Sequence, residues 1–204
     1  MMRVRLYEKN NDARRLADVV RVLNDGGVIV YPTGTTYALG CHALKERAVE
    51  RICRIKDIDP KEHPLAMVCL DMSVVSRYAE VSTANFKLIK RNTPGGFTFL
   101  LPALRKLPQV MRMRKDKEVG IRLPASPIVH ELLTLLDAPL MTASLPIEDV
   151  EPECHTHPDL VAEQMEAQVD LFIDGGEGRY ALTTVVDCTG DDPEVLREGE
   201  EALM

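Results

Sequence analysis

The chain has 204 residues, of which 45% are hydrophobic and 28% charged, and a formal net charge of −7. At that length roughly 70% of the unfolded surface can be buried, so a core needs neither disulfide nor metal, and general disorder is excluded. The acidity argues against a general affinity for nucleic acid, and no apolar run approaches the roughly 20 residues of a membrane helix.

The opening residues Met1, Met2, Arg3, Val4 and Arg5 lack the apolar stretch of a secretory signal. The five cysteines, Cys41, Cys53, Cys69, Cys154 and Cys188, are odd in number and widely spaced. Reduced core thiols and a cytoplasmic location are expected. Residues 12–23 place Ala13, Leu16, Ala17, Val20 and Leu23 at helical spacing, and Asp25, Gly26 and Gly27 end the helix.

Residues 28–31 form an apolar β-branched strand that stops at Pro32, followed by Thr33, Gly34, Thr35 and Thr36. Gly34 permits close backbone approach, and the three hydroxyls can bond phosphate or carboxylate oxygens without adding charge. The same residues equally suit a polar turn that caps a following helix. Neither a Gly-x-Gly-x-x-Gly nor a P-loop lysine is present, so a phosphate site here is of another kind.

A helix is expected over 46–55, ended by the charged, proline-containing stretch 57–64, then an apolar strand over 65–70 and a helix over 83–91. Asn92, Thr93, Pro94, Gly95 and Gly96 turn the chain into a strand over 97–101. Segment 105–117 gathers Arg105, Lys106, Arg112, Arg114, Lys115 and Lys117 against Asp116, which is either a solvated face or a local basic patch. A strand over 119–123 ends at Pro124, and Ser126 followed by Pro127 is an N-cap with proline at the first position of a helix over 127–136. Arg122 lies inside that otherwise apolar strand, where an unpaired charge is costly unless it reaches a cleft or a partner.

Strands over 140–144, 169–173, 183–187 and 194–197 and a helix over 158–168 complete the pattern. Residues 146–157, rich in acids and proline, read as a mobile loop, and the end after Arg197 as frayed. Cys154, His155 and His157 lack a fourth ligand at recognisable spacing, so no structural metal is expected. Strands and helices alternate without a strict βαβ period. The expected fold is a single α/β domain over 1–204, a twisted mixed sheet with flanking helices.

Five segments in order, residues 31–40, Lys56 with Pro64 and Leu65, residues 93–98, residues 119–124, and residues 183–187 with 196–199, resemble the YrdC/YciO family. The resemblance implies a sheet wrapped around a large concave cleft. It also implies binding of ATP or AMP, with threonine and bicarbonate, to make threonylcarbamoyl-adenylate for tRNA modification. Magnesium would be carried in with ATP as substrate. Members are also described as binding double-stranded RNA, so a non-catalytic module for tRNA or double-stranded RNA is the alternative reading. By family position the cleft residues are Thr33, Thr36, Lys56, Arg122, Ser144, Thr184 and Arg197, while Tyr37 and Leu39 read as core.

The sequence departs from synthase members at three places. Ile58 stands where their Lys-x-Arg pair has its arginine, Pro146 where a Ser-x-Asn pair has its asparagine, and Gly34 where the first motif commonly has glutamate. Lys61 is the nearest candidate to replace the missing cation. These departures resemble the YciO-like branch and imply weakened or altered synthase activity.

Overall fold

Strands buried on both faces form the centre of the molecule, whose computed structural model describes residues 1–112, 117–147 and 151–204. In chain order the strands are β1 (Met2–Arg5), β2 (Val28–Pro32), β3 (Tyr37–His42), β4 (Ala66–Val68), β5 (Phe97–Pro102), β6 (Glu118–Arg122), β7 (Leu140–Ser144), β8 (Leu171–Asp174), β9 (Thr184–Asp187) and β10 (Glu194–Arg197). The helices are α1 (Ala13–Asn24), α2 (Glu46–Lys56), α3 (Met72–Tyr78), α4 (Thr83–Asn92), α5 (Pro127–Leu136), α6 (Glu153–Thr156) and α7 (Pro158–Met165). The strands pair in one mixed sheet ordered β1-β8-β2-β3-β7-β4-β6-β5-β9-β10. Parallel pairs such as β4 with β6 and β5 with β9 sit beside antiparallel ones such as β2 with β3 and β3 with β7.

Helices cover both faces, which is why the central strands are apolar on both sides. Along β2, Val28 and Val30 join one cluster with Val49 and Ile52 of α2 and with Phe172. Ile29 and Tyr31 point the other way, into a cluster with Leu16, Val19 and Leu23 of α1 and Val129, Leu132 and Leu133 of α5. Asp12, Asp71, Ser82 and Ser126 cap α1, α3, α4 and α5, each accepting a hydrogen bond from a backbone N–H in the first turn.

The threonine turn joins two antiparallel strands, so the reading in which it caps a helix is overturned. Strand β3 breaks the expected pattern because all six of its residues are buried and no alternation marks it. Its Gly40 lies under Tyr31, where a Cβ would stand 2.8 Å from Tyr31 Cε1. The end after Arg197 is docked rather than frayed. Glu200 N–H donates to Leu182 O at 3.0 Å, Asn92 and Met204 exchange two hydrogen bonds, and Leu203 packs on the core. Within 146–157, residues 153–156 are the short helix α6 and Thr156 is buried; 148–150 lie outside the described residues, as do Arg114 and Lys115 of the basic segment. Cys41, Cys53, Cys69 and Cys188 are buried and unbridged.

Strand β1, absent from the expected elements, is held by charge. Arg3 Nη2 donates to Asp174 Oδ2 at 2.6 Å, and Arg5 Nη1 reaches Asp174 Oδ1. Burial alone would raise the Asp174 pKa, but the Arg3 hydrogen bond, the Gly176 N–H and the charges of Arg5 and Arg3 outweigh it and hold the carboxyl below its ordinary value. A depressed folded-state pKa contributes stability that is complete above the unfolded value of about 3.9 and is lost as pH falls through the folded one. Asp174→Asn is therefore expected to lower the unfolding free energy at neutral pH by about 1–3 kcal/mol, a difference that narrows below about pH 3.9, read by urea denaturation across pH. A penalty that persists undiminished in acid contradicts the charge clamp.

Candidate functional site

The threonine turn, the turn before β5, the start of α5, the segment after β8 and the residues after β10 line a cleft of about 300 Å³. The first wall is the threonine turn. Thr33 Oγ1 donates to Thr36 O at 2.8 Å and lies 3.1 Å from Thr35 Oγ1, so the hydroxyls brace the turn itself. Gly34 has φ of 96°, a left-handed conformation that a side chain would strain, and its nearest neighbour is Ser126 at the start of α5.

The second wall is the segment after β8. Tyr37 Oη donates to Gly176 O at 2.7 Å and accepts from Gly175 N–H at 3.1 Å, while Asp174 Oδ1 accepts from Gly176 N–H at 3.0 Å. Further on, Gly178 N–H donates to Thr156 O and Arg179 N–H to Thr35 O, which ties this wall to the threonine turn. A Cβ at Gly178 would lie 2.3 Å from Thr35 O, so only glycine permits that approach. Burial pushes the Tyr37 hydroxyl up to about 12, leaving it a neutral donor at physiological pH. Tyr37 is thus core, as expected, and also the post that carries this wall.

Arg122, at the end of β6, forms the floor. Its Nε is buried and has no hydrogen-bond partner among the described residues. Burial lowers its pKa first, the Tyr31 phenol acts in the opposite sense, and nearby Arg197 lowers it further. Tyr31 itself is raised by burial, and its hydroxyl shares a hydrogen bond of 2.7 Å with Thr142. A guanidinium with an unused buried N–H demands an acceptor, and Arg122 is one of the residues that line the cleft.

The expected site residues separate into four groups. Thr33 and Arg122 line the cleft. Arg197 and Thr184 brace it from behind. Arg197 Nη2 donates to Thr183 O at 2.9 Å and to Thr183 Oγ1 at 3.0 Å, and the buried Thr184 hydroxyl donates to Glu201 O and accepts from Gly199 N–H. Lys56 and Ser144 meet each other at the end of β7, Lys56 Nζ lying 3.1 Å from Ser144 Oγ and 3.3 Å from Leu145 O, outside the lining of this cleft. Burial lowers the Lys56 pKa. Thr36 contributes its carbonyl to the turn.

Sequence reasoning missed Thr183, Arg179, Gly96, Glu200 and Glu201, all of which line the cleft. The closely spaced Gly175, Gly176 and Gly178 after a strand carried a signal for the second wall; the acids of the tail carried none. Ile58 packs against the apolar core, and Lys61 is exposed on a turn where its backbone N–H donates to Asp59 Oδ1. Among the described residues no group of three or more His, Cys, Asp or Glu side chains could hold a metal ion, and no helix is long and apolar enough to cross a membrane.

The chain is similar to known proteins along its whole length. The family model described as Sua5_yciO_yrdC, Telomere recombination, matches residues 21–199. YciO of Escherichia coli K12 is 39% identical over 194 residues, 95% of this chain and 93% of that protein. The crystal structure of E. coli YciO superposes with a TM-score of 0.91 at 38% identity, over 99% of this chain and 98% of that one. A threonylcarbamoyl-AMP synthase of Pyrococcus abyssi is 33% identical over 179 residues, 87% of this chain but 52% of that protein. P. abyssi Sua5 crystallised with L-threonine superposes with a TM-score of 0.87 at 29% identity, over 98% of this chain and 58% of that one. With the matched segment running from α1 past β10 and the mixed sheet shared with both structures, this chain belongs to the Sua5/YciO/YrdC family.

Proposed function

We propose that the cleft binds the phosphate of an adenine nucleotide, and that the chain is a relative of the threonylcarbamoyl-AMP synthases in which synthesis from ATP, threonine and bicarbonate is weakened. The observation that carries this reading is the Arg122 guanidinium, fixed in the cleft floor with a buried N–H that no acceptor among the described residues satisfies. The L-threonine bound by the P. abyssi relative supports threonine as the second substrate.

In such a reaction the amine of threonine and bicarbonate condense with loss of water to a carbamate, whose oxygen attacks the α-phosphorus of ATP and expels pyrophosphate. Three anionic groups must be held together, so fixed cations and neutral donors matter more than a nucleophile. Arg122 supplies a two-pronged contact to a phosphoryl group, and Mg²⁺ enters with ATP. Lys56 and Ser144 form a second donor pair at the end of β7, outside the lining of the Arg122 cleft. The neighbouring place for a second guanidinium holds Ile58, engaged in the apolar core, and Pro146 offers no side-chain amide. That loss of preorganised donors is the physical basis for slow turnover. The net charge of −7 favours a small nucleotide over RNA, whose binding requires many phosphates to be neutralised.

Arg122→Ala is expected to weaken AMP binding by about 1.5–3 kcal/mol in calorimetric titration with the fold intact by circular dichroism. Unchanged affinity contradicts the assignment. Purified protein given ATP, threonine, bicarbonate and magnesium is expected to release pyrophosphate and threonylcarbamoyl-adenylate slowly. The double variant Ile58→Arg with Pro146→Asn should then be faster by about 10- to 100-fold and exceed either single change, with Asp59→Arg as the positional control. Wild-type turnover equal to that of a full synthase under the same conditions contradicts the weakened reading.

A further inference from the structure

Glu201 reaches across to the glycine turn that precedes β5. Its Oε1 accepts from Gly96 N–H at 2.9 Å, and an ideal Cβ on Gly95 would stand 2.7 Å from its Oε2. The carboxylate therefore rests directly on a two-glycine backbone that any side chain would hold off. Gly95 N–H donates to Leu123 O at 3.0 Å, which places this backbone beside the residue that follows Arg122. Both Gly96 and Arg122 line the same cleft, and Arg122 carries a buried N–H without a partner among the described residues.

We propose that Gly96 N–H is an oxyanion subsite for a phosphoryl group, and that Glu201 fills it as an internal anion which the ligand must displace. The inference rests on the nucleotide reading above and adds the regulation of that site by the chain's own tail. A carboxylate and a phosphoryl oxygen satisfy the same N–H, so the two compete, and Glu201 adds electrostatic repulsion toward any second anion in the cleft.

The rest of the tail explains why the carboxylate stays in place. Glu200 N–H donates to Leu182 O, Thr184 Oγ1 donates to Glu201 O, and Gly199 N–H donates to Thr184 Oγ1. These bonds involve backbone, so the Glu201 side chain can swing away about its own torsions while the tail remains docked. The gate is one side chain rather than a loop.

The test is calorimetric titration of inorganic pyrophosphate into the full chain at fixed ionic strength, for wild type, Glu201→Ala, Glu201→Gln and Glu8→Ala. Glu8 also lines the cleft and carries the same charge, so it reports the general field. Glu201→Ala is expected to bind pyrophosphate at least about five-fold more tightly than wild type, Glu201→Gln to gain less because it keeps an acceptor, and Glu8→Ala to gain under about two-fold. The Gly96 amide resonance should move on addition of pyrophosphate. Equal affinities for wild type and Glu201→Ala, or an equal gain for Glu8→Ala, overturn the subsite. So does a lower melting temperature for both Glu201 variants without tighter binding, which would make Glu201 a structural anchor. AMP run in parallel separates the two readings. A pyrophosphate gain without AMP binding keeps the subsite and removes the nucleotide, whereas AMP binding with no change across variants removes the subsite alone.

Discussion

A guanidinium held at the end of a sheet strand with one N–H unsatisfied constrains everything around Arg122. Removing such a group from water costs several kcal/mol unless it finds an acceptor, and Arg122 lines the cleft where an acceptor can enter. Among the described residues none supplies a carboxylate contact to Nε, and the nearby Arg197 adds repulsion. The cleft is the place where that imbalance can be relieved. A site of this kind selects anions because the protein has left its own cation partly unpaired.

The walls are positioned by bonds that reach through the sheet. Tyr37 stands on β3 yet holds the backbone after β8, and Asp174 at the end of β8 is clamped by arginines of β1. The same carboxylate accepts from Gly176 N–H, so the charge clamp that docks β1 also shapes the cleft. Arg179 completes the frame by bonding its N–H to Thr35 O and its side chain to Glu200. The threonine turn, the glycine-rich wall and the tail are thus one connected assembly, and because its lining sets Arg122 and Arg179 against Glu8, Glu177, Glu200 and Glu201, the cleft is net acidic and favours an anion only beside Arg122.

Much of this was legible in the sequence where a periodic signal existed. Helices α1 and α5 carried a 3.6-residue apolar repeat and explicit caps, and β2 and β6 were apolar runs stopped by proline. Arg122 stood out because charge inside an apolar strand has few tolerable explanations. Strand β3 was hidden because burial on both faces removes alternation, and β1 because its polar positions are occupied by arginines with a distant partner. The choice between Thr183 and Thr184 was likewise invisible, since a one-residue shift along a strand exchanges the face that each presents. Thr184 proved to serve the docked tail, a long-range contact with no local signature.

The account stands on the claim that the cleft floor meets a phosphoryl group at Arg122, and a crystal structure of the protein soaked with AMP tests it most directly. The account predicts density for the phosphate within hydrogen-bond distance of Arg122 Nε, between the threonine turn and the glycine-rich wall. AMP bound away from this cleft, or a phosphate that leaves Arg122 Nε without an acceptor, would contradict it.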